Sequence, residues 1–69
     1  MMKIEEAILY ALAERNGGLR TEQIEDIINR RKLHVRKDVQ PVTSALVYAV
    51  MMRYPGTFVK AEGRIMLMI

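Results

Sequence analysis

The stretch Tyr54-Pro55-Gly56-Thr57-Phe58-Val59-Lys60-Ala61-Glu62-Gly63-Arg64-Ile65-Met66-Leu67 decides the fold. Pro55-Gly56 ends any helix arriving from upstream, and beyond it the hydrophobic period changes from helical to two. Glu62-Gly63 is a two-residue turn in which Gly supplies a positive φ. That turn pairs Ala61 with Arg64, Val59 with Met66 and Phe58 with Leu67. One face of the resulting hairpin carries Phe58, Lys60, Ile65, Leu67 and Ile69. The other carries Val59, Ala61, Arg64, Met66 and Met68. Phe58 and Leu67 are expected to pack inward, with Lys60 reaching solvent near the tip.

Everything before the hairpin reads as helix. Ile4, Ala7, Ile8, Ala11 and Leu12 form one apolar stripe, and Asn16-Gly17-Gly18 supplies left-handed residues to end it. This places a first helix at residues 3–15. Leu19-Arg20 is a short extended link with Leu19 pointing inward. Thr21 is the expected N-cap of a second helix, whose stripe is Ile24, Ile27, Ile28 and Arg31 and which runs to residue 32. Pro41 suits the first position of a third helix, where its missing N–H costs nothing. Val42, Ala45, Leu46, Ala49 and Val50 then give its inward stripe, ending near Arg53. Three helices and a C-terminal hairpin, with a short strand near Leu19, are the order of a winged helix-turn-helix. We therefore expect one mainly α domain over residues 1–69.

Composition narrows the classes. A chain of 69 residues without cysteine has neither disulfide nor thiolate metal site to reinforce it. Its 51% hydrophobic content supports a core and argues against disorder. No apolar run approaches the ~20 residues that span a bilayer. The N-terminus turns acidic at Glu5-Glu6, unlike a signal peptide. The expected location is the cytoplasm, at the nucleoid if DNA is bound. The net charge of +3 is unevenly spread. Residues 1–29 carry three basic and six acidic groups, and residues 30–69 eight basic and two acidic. A one-sided basic field suits a polyanion.

With these positions fixed, the chain resembles the HARE-HTH family of winged helix-turn-helix domains. Leu19-Arg20-Thr21-Glu22-Gln23-Ile24 resembles the lead-in to that family's second helix. Pro41-Val42-Thr43-Ser44-Ala45-Leu46-Val47-Tyr48 resembles its proline-led third helix. Phe58-Val59-Lys60 with Gly63-Arg64-Ile65-Met66-Leu67 resembles its wing. Arg20 stands where the family often has His, and Ile65 where it often has an aromatic. The resemblance implies a DNA-associated accessory domain of transcription, chromatin or restriction proteins.

The residues themselves suggest two kinds of contact. Arg30, Arg31, Lys32, Arg36 and Lys37, with His34 among them, can lie along a phosphate backbone. The bland alternative is a solvated loop that compensates a helix dipole. Thr43, Ser44 and Tyr48 would face the groove from the third helix, and Lys60 and Arg64 would act from the wing. That helix has no Arg, Lys, Asn or Gln before Arg53, so bidentate base reading is missing from its middle. Val47, Met51 and Met52, with Val59, Met66 and Met68 of the hairpin, equally suit a protein partner or a homodimer. A lone His34, and Ser44 without a visible base, give catalysis no support. No catalytic residue, cofactor, metal or small-molecule substrate is assigned.

Overall fold

The computed structural model describes residues 2–15 and 18–68. Its elements run α1 (Ile4–Ala13), α2 (Thr21–Arg31), α3 (Ser44–Arg53), β1 (Phe58–Ala61) and β2 (Arg64–Leu67). The three helices pack on one another, and the antiparallel hairpin closes against α1 and α3. This is a winged-helix-like α+β domain.

α1 follows its expected stripe, with Ala7, Ile8, Ala11 and Leu12 buried. The side chain of Glu6 accepts from the Lys3 N–H at 2.9 Å, which satisfies one of the first-turn donors. Asn16 and Gly17, expected to end this helix, lie outside the described residues, as does Ile69. Gly18 is described and has a φ of +81°.

α2 begins one residue earlier in its cap than expected. Arg20, not Thr21, is the N-cap, and the Gln23 side chain accepts from the Arg20 N–H at 2.9 Å. The Thr21 hydroxyl instead donates to Glu22. Ile24 and Ile28 are buried, but Arg31 lies exposed rather than on the inward stripe. Lys32 takes the left-handed cap position, and the Leu33 N–H reaches back to the Ile28 carbonyl at 3.0 Å. That reach-back bond closes the helix end without a glycine.

The hairpin has the expected register, Phe58 opposite Leu67 through Ala61 opposite Arg64. Both turn residues adopt positive φ, Glu62 at 53° and Gly63 at 77°. A left-handed pair of this kind matches the twist of the flanking strands. Phe58 and Ile65 are buried, and Leu67 is half-buried against the core. Leu19 pairs with Ile65 through bonds of 3.0 and 2.7 Å, so β2 lies between Leu19 and β1. Gly18 is needed beside this junction. A Cβ there would meet Met66 Cγ at 2.6 Å and the Ile65 carbonyl oxygen at 2.8 Å.

Candidate nucleic-acid interface

The interface is built from the elbow between α2 and α3. Asn29 sits in the last turns of α2, where its side chain would gain little from helix formation alone. Its amide nitrogen donates to the Val42 carbonyl and its amide oxygen accepts from the Val42 N–H, both at 2.9 Å. This pair imitates one rung of a sheet and holds Val42 buried outside any helix. Thr43 follows as the N-cap, its hydroxyl oxygen accepting from the Leu46 N–H at 3.1 Å. The third helix therefore starts at Ser44, not at Pro41.

That shift turns the helix. Val47, Val50 and Met51 are buried, while Ala45, Tyr48, Ala49 and Met52 are exposed. Of the expected inward stripe, Val42 and Val50 are buried and Leu46 packs half-buried against the core, but Ala45 and Ala49 face outward. Val47 and Met51 are consequently core residues, and their assignment to a partner surface is corrected. Ala45 and Ala49 replace them on the outer face. Larger aliphatic groups gain more from burial than alanine does, which favours this rotation.

Of the groove-facing candidates, Thr43 is occupied as the cap. Ser44 is half-buried and donates its hydroxyl hydrogen bond to the Glu25 carboxylate of α2. A carboxylate thus stands beside the α3 N-terminus, where a phosphate would otherwise be favoured. Tyr48 is 43% exposed, and the Lys60 ammonium lies 5.2 Å from its ring centroid. This cation–π contact ties the wing to α3. Arg64 is exposed at the hairpin turn.

The basic connection is more engaged than its sequence suggests. Arg30 pairs with Asp26, Arg31 with Glu14, and Arg36 with Asp38 at 3.0 Å. The Arg31 guanidinium also lies 5.2 Å from the Tyr10 ring centroid, and the hydrogen bonds it donates to Glu14 and to the Tyr10 hydroxyl oxygen raise its pKa. Lys32 and Lys37 are exposed and stand outside these three ion pairs. Such exposed pairs are screened by water, so their cations can exchange partners at little cost. His34 is half-buried, with Nδ1 at 2.8 Å from the Met2 carbonyl oxygen. That bond places the ring proton on Nδ1 when the imidazole is neutral.

On the hairpin's outer face Val59 and Met68 are exposed and Met66 is half-buried. Sequence reasoning missed Asn29 and Glu25, whose partners lie 13 and 19 residues away. An asparagine inside the last turns of a helix was the available signal. No helix among the described residues is long and apolar enough to cross a membrane, and no cluster of metal-ligating side chains occurs among them. Compared with family models, curated proteins and solved structures, the chain finds no match in any of the three.

Proposed function

We propose that this chain is a non-enzymatic module that binds duplex DNA through its phosphates, with weak sequence specificity. The observation that carries this reading is an uncharged outer face of α3, with exposed cations before the helix, at its end and on the wing. Lys32 and Lys37 precede the helix, Arg53 ends it, and Lys60 and Arg64 belong to the wing. Cations supply salt-dependent affinity without sequence information. Ala45 and Ala49 offer thymine methyl contacts at most, and Tyr48 a single hydroxyl. Glu25 disfavours a phosphate at the α3 N-terminus, which directs docking toward the C-terminal half of the helix and the wing. A transcription-associated role of the HARE-HTH kind would fit and rests on the element order and turn residues quoted above.

The test is fluorescence anisotropy on random-sequence duplexes at low salt. Tight binding that changes little between sequences supports the reading, and Lys60→Ala with Arg64→Ala should weaken it uniformly. Absence of binding at low salt refutes it. A protein-interaction role is the second reading, favoured by Met52 and Met68 at 60% and 54% exposure. Met52→Ser with Met68→Ser should leave DNA affinity unchanged if these side chains serve a partner.

A further inference from the structure

Two features outside the outer face of α3 and the wing tip complement each other. The first is a groove of about 200 Å³ between the N-terminal half of α1 and the turn leading into β1. Leu9, Tyr54, Thr57 and Phe58 make its apolar lining, and Glu5 and Glu6 its acidic rim. The Glu5 carboxylate is held below its ordinary pKa by its own backbone N–H and by the Tyr54 hydroxyl, which donates at 3.0 Å. Glu5 thus keeps its charge at neutral pH.

The second feature is the loop over residues 36–40. Val39 is 79% exposed with a φ of +62°. A β-branched side chain rarely adopts that conformation, and such strain persists only where neighbouring bonds enforce it. Here the Val39 N–H donates to the Arg36 carbonyl at 3.0 Å, and Asp38 accepts both the Gln40 N–H and the Arg36 guanidinium. The result is an apolar knob on the same short loop as the exposed Lys37.

We propose that a second copy of this chain seats its Val39 loop in this groove. Val39 meets Leu9 and Tyr54, and Lys37 meets the Glu5 and Glu6 carboxylates. Charge complementarity selects the occupant, because the groove needs an apolar residue beside a cation and this loop supplies both. The two surfaces differ, so each copy both gives and receives. Self-association would also help a domain whose core is small.

Sedimentation velocity across a concentration series, without DNA, tests this independently of nucleic-acid binding. Wild-type protein should gain mass with concentration at low salt and lose that gain at high salt. Val39→Gly relieves the strained φ, so it should fold at least as well while associating at least about tenfold more weakly. Lys37→Glu and Glu6→Lys should each remain monomeric where wild type associates. Their equimolar mixture should associate again, because the intact Lys37 loop of the Glu6→Lys variant then meets the intact Glu5 and Glu6 rim of the Lys37→Glu variant. A wild type that stays monomeric throughout, a Val39→Gly variant that associates normally, or a mixture that fails to recover overturns the proposal. A loss of helical circular dichroism in either charge variant would move the decision to Val39→Gly.

Discussion

Replacing Asn29 by alanine removes the rung that sets where α3 begins. Two backbone groups of Val42 then lose partners that stand at 2.9 Å, in a residue only 2% exposed. Leaving a buried donor or acceptor unpaired costs about 1–3 kcal/mol each. Water entering the elbow would keep the total toward the lower end, so a loss of about 2–4 kcal/mol is expected. A domain of this size holds roughly 3–10 kcal/mol in all. Urea denaturation followed by circular dichroism should therefore show a midpoint lower by about 2–4 M, taking a slope near 1 kcal/mol per molar. Asn29→Asp separates the two bonds. Its ionised carboxylate still accepts from the Val42 N–H but repels the Val42 carbonyl oxygen. The protonated carboxyl can donate to that oxygen, so folding raises the pKa of the introduced group. Stability lost at neutral pH should return as the pH falls through that raised value. An Asn29→Ala loss below about 0.5 kcal/mol, within the range of surface substitutions, would refute the elbow argument. So would an Asn29→Asp variant that weakens further on acidification.

The rotation of α3 makes a paired prediction. Val47→Ala should cost about 2 kcal/mol in chemical denaturation, whereas Ala49→Ser should stay within about 0.5 kcal/mol. Equal costs would contradict the observed face. Gly18→Ala combines a left-handed φ with contact against the Ile65 backbone, so a loss of about 2–4 kcal/mol is expected by thermal or urea melts. A neutral result would remove the close approach of Gly18 to β2. Tyr54→Phe should flatten the acid limb of the stability profile. Folding depresses the Glu5 pKa from its ordinary 4.5, so the stabilisation is present above that value and lost as pH falls through the folded one. The same bond raises the Tyr54 pKa from 10.0, so its share is lost as pH rises through that raised value. Identical wild-type and variant profiles at both ends would show that the hydroxyl does not stabilise the ionised carboxylate.

Much of the architecture was legible because it is local. The stripe of α1 is set by residues three and four apart, and the hairpin register by Glu62-Gly63 alone. α3 was misread because its phase is set from outside. Asn29 holds Val42 extended, Thr43 is the stronger cap, and Pro41 lies upstream of the helix. Reading Val42 as helical moved Val47 and Met51 to the surface and two alanines into the core. The cations show the same division. Their number is visible in the sequence, but the pairing of Arg31 with Glu14 across 17 residues is a property of the packed helices. Lys60 could be placed at the hairpin tip by register, yet only the fold brings it over Tyr48.

The central claim is that cations around an uncharged α3 face hold DNA by its phosphates. The most direct measurement is the affinity for a random duplex across a salt series. Three to five phosphate contacts should make log K fall against log salt with a slope of about −2.7 to −4.5, nearly the same for unrelated sequences. A flat salt dependence, or no binding at the lowest salt, would contradict the claim.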